Sequence, residues 1–234
     1  MMRNIFILIF ICVGLSSCST DDYSCDPEIN KWVSDNIDEI HSMIREEWVE
    51  INNISKQRGA YGAFTIKQKI ALWRGKIEET LDLNWTIEEY AHIKKLSNAI
   101  QDNPDWYNQN AAEEIQDQKE LFAQAWLDYA VEELNWSNEL IHAIAFTPER
   151  MDLNKKIIRA PMHTELKTKS EITHECDCSN PESANFFQCD IETKDCIKGF
   201  CKETSWKCGW MWTYPCNGLC YSCLLYTSDA ADEL

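Results

Sequence analysis

Twelve cysteines and five histidines are the residues of this 234-residue chain whose types and spacing could support redox, metal or nucleophilic chemistry. The cysteines are unevenly spread: Cys12, Cys18 and Cys25, a gap of 150 residues, then Cys176, Cys178, Cys189, Cys196, Cys201, Cys208, Cys216, Cys220 and Cys223. From Cys176 to Cys220 eight cysteines fall within 45 residues, with the spacing C-x-C-x10-C-x6-C-x4-C-x6-C-x7-C-x3-C. A segment this short cannot bury an adequate core unaided, and an even cysteine count points to a disulfide framework. Four bridges would each add about 2–4 kcal/mol by restricting the unfolded chain. Zinc is the competing chemistry, with His174, Cys176 and Cys178 as possible ligands, but the C-x-x-C pairs of zinc ribbons are missing. No metal site or cofactor is therefore expected. Nor do the histidines stand in an H-E-x-x-H spacing, and no nucleophile elbow or phosphate-binding glycine loop occurs. His92, near Glu88 and Glu89, is the nearest approach to an acid/base cluster, yet nucleophile, base and orienter are not assembled. No catalytic residue is assigned, and an enzyme is not expected.

The elements that must position these residues are helical. Only 7 Gly and 6 Pro are present, too few for a turn-rich all-β fold. Asp26-Pro27 reads as an N-cap with proline at the first helical position. Apolar residues follow at Ile29, Trp32/Val33, Ile37, Ile40, Ile44, Trp48 and Ile51, at the spacing of one helix face. Capping boxes at Thr65–Gln68 and Thr86–Glu89 open two further stripes, Ile66-Ile70-Trp73-Ile77-Leu81 and Ile87-Tyr90-Ile93-Leu96-Ile100. Pro104 breaks the second. A fourth stripe uses Ile115, Phe122, Trp126 and Tyr129, and a shorter fifth element spans Ser137 to Phe146. The fold class expected is mainly α: an antiparallel helical domain over 27–147, followed by a small disulfide-rich module over 176–222. The stretch 148–175, where periodicity fades and Pro161 interrupts, reads as a linker.

A balance of 22 Lys+Arg against 39 Asp+Glu, net −17, argues against nucleic acid as a partner and against attraction to anionic membranes. The N-terminus provides another route to a membrane. Arg3 and the apolar run Ile5–Val13 fit a signal peptide rather than a spanning helix. The run ends in Leu15-Ser16-Ser17-Cys18, which resembles the lipobox of bacterial lipoproteins. That likeness implies cleavage after residue 17 and lipid on Cys18, a strong anchor at about 0.8 kcal/mol per buried CH₂. Residues 18–26 form an acidic tether in which Asp21 and Asp22 resemble the export signal of surface lipoproteins in the Bacteroidetes group. A lipid-anchored location in the cell envelope, at the outer membrane or cell surface, is expected. Cysteines can oxidise there.

The Cys-x-Cys opening, "IETKDCIKGFC" and above all "KCGWMWTYPCNGLC" resemble the fulvocin C-related bacteriocin proteins, over about the last fifth of the chain. The resemblance carries over the cysteines, Cys208-Gly209 and Cys216-Asn217-Gly218, and it implies a bacteriocin-like effector with a target-cell envelope component as partner. In an extended strand Trp210, Trp212 and Tyr214 would share one face, with Gly209, Met211 and Thr213 opposite. Such a stripe is either the module's own miniature core or, with Trp206, an exposed surface offered to a membrane or partner. The alternative function is a non-toxic surface binding or structural lipoprotein. Finally, "CLLYTSDAADE", Cys223 to Glu233, resembles the conceptual translation of a sequencing adapter. Residues 223–234 are accordingly read as artefact, and Cys223 is left out as a partner for Cys25.

Overall fold

The computed structural model describes residues 23, 24, 26–159, 178, 179, 189, 194–197 and 204–222. Most of these residues are helical, and the chain is mainly α with a small strand region near its C-terminal end. The helices are α1 (Pro27–Asp35), α2 (Ile37–Ser42), α3 (Arg45–Val49), α4 (Ile54–Ala63), α5 (Ile66–Leu81), α6 (Ile87–Asp102), α7 (Glu113–Glu132) and α8 (Asn138–Ala145), with a 3₁₀ turn at Pro104–Tyr107. The caps follow the sequence signals. Asp26 accepts from Glu28 N and Ile29 N, and both capping boxes, Thr65–Gln68 and Thr86–Glu89, are formed. Each satisfies backbone donors that a helix start would otherwise leave unpaired.

Among the described residues eight α-helices replace the five that periodicity marks out. The first stripe, Ile29 to Ile51, is shared by three short helices, because the backbone leaves the helix at Asn36 and again, extended, at Met43 and Ile44. Ile44 caps α3 and is exposed instead of facing the core. Helix α4 is invisible to pattern reading because its buried positions, Gln57, Gly59, Ala60, Tyr61 and Ala63, are mostly small or polar and make no apolar stripe. A Cβ on Gly59 would stand 2.9 Å from an Ile29 methyl, so α1 and α4 meet where only a glycine fits.

The expected linker does not begin at 148. Residues Arg150–Met151 (β1) and Ile157–Ile158 (β2) pair antiparallel as a hairpin. Two buried cations fasten its root: Arg45 Nη1 donates to Pro148 O at 2.8 Å and Lys76 Nζ to Glu149 O at 2.6 Å. Residues 160–177 lie outside the described residues. In the cysteine-rich segment β3 (Lys194–Ile197) pairs with β6 (Leu219–Ser222), and β4 (Thr204–Cys208) with β5 (Tyr214–Cys216), both antiparallel.

The main core joins the helices to the Trp210–Tyr214 stretch, while Cys208 with Cys216, and Cys178 with Cys189 and Cys196, form two small clusters apart from it. Val33, Trp48, Tyr61, Trp73, Ile93 and Trp126 from the helices share a continuous apolar cluster with Trp210, Met211, Trp212 and Tyr214.

Candidate functional site: a disulfide-closed aromatic knuckle

The stretch that drew attention in the sequence is neither an extended stripe nor a self-contained miniature core. Between β4 and β5 the chain makes a tight 3₁₀ turn at Trp210–Trp212. Gly209 (φ 69°), Met211 (φ 49°) and Trp212 (φ 51°) all adopt left-handed backbone. For non-glycine residues this costs on the order of 1–2 kcal/mol each, so the surroundings must hold the turn in place. The turn sends Trp210, Met211 and Trp212 into the helical core, leaving them 1%, 0% and 6% exposed. Alternation between two faces, expected for extended chain, is absent because the segment is not extended.

The receiving helices grip each ring. Trp212 meets Tyr61 edge-on at 5.0 Å and Trp48 at 6.2 Å between centroids. Its Nε1 donates to Phe146 O at 2.9 Å, and the Tyr61 hydroxyl donates to Trp212 O at 3.3 Å. Burial pushes that hydroxyl's pKa well up, so it remains a donor. Trp210 packs against Trp106 and Phe122, at 5.6 and 5.9 Å. Edge-on and tilted pairs such as these contribute about 0.5–1.5 kcal/mol each beyond simple burial.

Lys119 of α7 closes the other side. Its ammonium is fully buried, donates to Thr213 O at 3.0 Å and Gln116 Oε1 at 2.6 Å, and lies 3.9 Å from the Tyr214 ring centroid and 4.9 Å from that of Trp206. A desolvated cation over an aromatic face is worth about 2 kcal/mol. Lys207 adds a tie to the N-terminal end of the described chain, donating to Tyr23 O at 2.9 Å.

A disulfide between Cys208 and Cys216 closes the knuckle at its base. Arg58 of α4 lies against it, with Nη2 3.0 Å from Cys208 Sγ and 3.6 Å from Cys216 Sγ, and the guanidinium also covers the Trp212 ring at 5.6 Å. Among the other expected disulfide cysteines, Cys178 bonds to Cys196, and Cys189 is oxidised as well. Cys178, weighed as a zinc ligand, is thus engaged in a disulfide. Cys220 sits on β6 with its backbone opposite Cys196. Cys176 and Cys201, together with the lipidation candidate Cys18, lie outside the described residues.

Trp210, Trp212 and Tyr214 are therefore buried against the helical domain and are not presented to a target. Trp206 is half-buried beneath Lys119. The sequence reading missed the receiving residues, although one signal for them was present. Lys119 falls within the apolar stripe Ile115-Phe122-Trp126, and Lys69 and Lys76 lie on the buried side of α5. A cation in such a position needs a partner, and here Lys119 and Lys76 find backbone carbonyls from distant segments.

His92 does not form an acid/base pair with Glu88 or Glu89. It is 1% exposed, stacked on Trp126 and Tyr129 at 4.6 and 4.7 Å, with Nε2 3.0 Å from Trp126 O. A carbonyl partner requires Nε2 to carry the proton. Burial and nearby Lys95 push the ring's pKa down to about 4, leaving it neutral. A cleft of about 310 Å³ opens between Val49–Asn52 and the β1–β2 hairpin. The charges along it are paired with one another, Glu149 with Arg159 and Arg150 with Glu50. Comparison with protein-family models, with curated proteins and with solved structures finds no match for this chain.

Proposed function

We propose that the protein is an exported, lipid-anchored envelope protein of the binding or structural kind. In this reading the cysteine-rich segment locks the helical body and is not a free weapon. The observation that carries this is the insertion of Trp210, Met211 and Trp212 into the helical core, where 1%, 0% and 6% of their surface remains exposed. A side chain that completes one core cannot at the same time meet a membrane. The lipobox-like Leu15-Ser16-Ser17-Cys18 supports the anchor, and oxidised cysteines support a location outside the cytoplasm. A bacteriocin-like effector is the second reading. It rests on the resemblance of "KCGWMWTYPCNGLC" to the fulvocin C-related proteins and would need the helices to release the residues they now cover.

The test expresses the full chain with and without Cys18→Ser and follows incorporation of labelled fatty acid together with membrane fractionation. Label and membrane retention that both disappear in the variant are expected; retention without label overturns the anchor. The purified, oxidised full chain is then added to dye-filled liposomes and to related bacteria. An inert protein is expected. Leakage or killing by the intact oxidised chain would replace the structural reading with the effector reading.

A further inference from the structure

The tip of the β1–β2 hairpin holds an ammonium in a cage of one indole and one carboxylate. Lys155 Nζ lies 3.8 Å from the centroid of the Trp85 ring and 3.9 Å from Glu89 Oε1. Trp136 donates its Nε1 to the same carboxylate oxygen at 3.1 Å, and the two indoles stand 5.9 Å apart. Glu89 is held a second time, because its Oε2 accepts from Thr86 N at 2.9 Å in the capping box of α6. One indole face and one oriented carboxylate oxygen therefore converge on a single point, both carried by the helical framework. An ammonium is the group that such a pair recognises.

The occupant of the cage sits on a loop and in a conformation that disfavours it. Lys155 has φ 64°, a left-handed backbone that glycine or asparagine would adopt at less cost. The turn itself is organised by Asp152, whose Oδ1 accepts from Asn154 N at 2.8 Å and Lys156 N at 2.9 Å, so its shape does not require a lysine at 155. A local rule broken at one position points to a role for that side chain. The hairpin root is fastened by Arg45 and Lys76, while the tip is tied to the body through Lys155. Two aliphatic residues within two positions of the cage residues in sequence, Leu153 and Ile87, are each 90% exposed.

We propose that Trp85, Trp136 and Glu89 form a binding site for a primary alkylammonium, with Lys155 as its built-in and displaceable occupant. The exposed pair Ile87 and Leu153 fits a ligand whose ammonium stands beside apolar surface. That chemistry is an ethanolamine headgroup in a lipid layer or a free alkylamine. Entry is an exchange of one ammonium for another, with no covalent step. The site stands on its own geometry and does not depend on the lipid anchor.

The experiment titrates ethylammonium chloride, with sodium chloride as the ionic-strength control, into the full chain while following the indole N–H resonances of Trp85 and Trp136. Lys155→Gly removes the occupant, and the relief of the left-handed backbone at that position offsets part of the tie it deletes, so the variant should remain folded. It should bind ethylammonium at least tenfold more tightly than the intact chain, and Glu89→Gln in the same background should abolish the gain. Glutamine's single oxygen can still close the capping box, so α6 stays capped, while its amide nitrogen gives up the Trp136 Nε1 hydrogen bond. No gain in Lys155→Gly, or a gain that survives Glu89→Gln, overturns the site. Vesicles of phosphatidylcholine with and without phosphatidylethanolamine distinguish the sources. Preference of the intact chain for ethanolamine lipid, lost in Glu89→Gln, assigns the headgroup. Equal binding to both vesicles, with the ethylammonium response in place, assigns a soluble amine.

Discussion

If the aromatic knuckle completes the helical core, cutting its base must loosen helices that are distant in sequence. Replacing Cys208 and Cys216 together with alanine opens a loop whose ends are 8 residues apart. Chain-entropy arguments put that loss at about 2.5 kcal/mol. Trp212→Ala removes a side chain wedged between Trp48, Tyr61 and the Phe146 carbonyl, at a cost of about 3–5 kcal/mol for an aromatic truncated in a core. For a domain of this size 1 kcal/mol shifts the melting temperature by about 2–4 °C. The disulfide variant should thus melt about 5–10 °C below the parent and Trp212→Ala about 6–20 °C below. The decisive readout is far-UV ellipticity, which reports helices that among the described residues are carried almost wholly by 27–145. Both variants should lower the helical transition, and the triple variant should lose less than the two losses added, because both act on one element. A helical melt unmoved by either change would show the cysteine-rich segment to be an independent appendage and would refute the shared core.

Three further outcomes follow from the same contacts. Gly209→Ala should destabilise by about 3 kcal/mol, since its backbone (φ 69°, ψ −163°) lies in a region essentially reserved for glycine and the added Cβ would stand 2.8 Å from Tyr214 Cδ2; an unchanged thermal midpoint would contradict the turn geometry. Stability should climb with pH. Burial and neighbouring Arg45 push the Lys76 pKa from 10.5 down to about 7, and burial with Lys207 nearby pushes Lys69 down to about 8. Between those values and 10.5 the unfolded chain binds protons that the folded chain does not, so urea midpoints should rise from pH 7 toward 10 and rise less in Lys76→Met. Below pH 6.5 the sign is the same for His92: its folded value of about 4 means that acid favours the unfolded chain, so midpoints should fall between pH 6.5 and 4, and His92→Phe should blunt that fall.

Helix starts were legible because their signals are local. Thr65 and Gln68, or Thr86 and Glu89, satisfy one another's backbone donors within four residues, and no distant contact is needed to read them. Helix α4 was not legible, because Gly59 and Ala60 carry no apolar period and are buried only through the close approach of α1. The hairpin inside the expected linker was not legible for a related reason. Residues 148–159 lack periodicity, yet backbone carbonyls at 148 and 149 are taken up by Arg45 and Lys76, more than seventy residues away.

The candidate site divides along the same line. Cysteine count and spacing were enough to announce disulfides such as Cys178–Cys196 and Cys208–Cys216, since so many cysteines in so short a segment have few other uses. Where the tryptophans go was undecidable from the chain alone. Aromatic density reads identically whether a ring seals its own disulfides, faces a membrane or enters a neighbouring domain. Only the tertiary structure places Trp212 between Trp48 and Tyr61 and sets Lys119 under Tyr214. The sequence by itself determined the helical class, the caps and the cysteine framework, because those depend on residues near one another. The shared core, the left-handed turn that delivers it and the caged Lys155 were decided by contacts between residues tens to more than a hundred positions apart. Burial of that kind is a property of how the surfaces meet, and no local pattern encodes it.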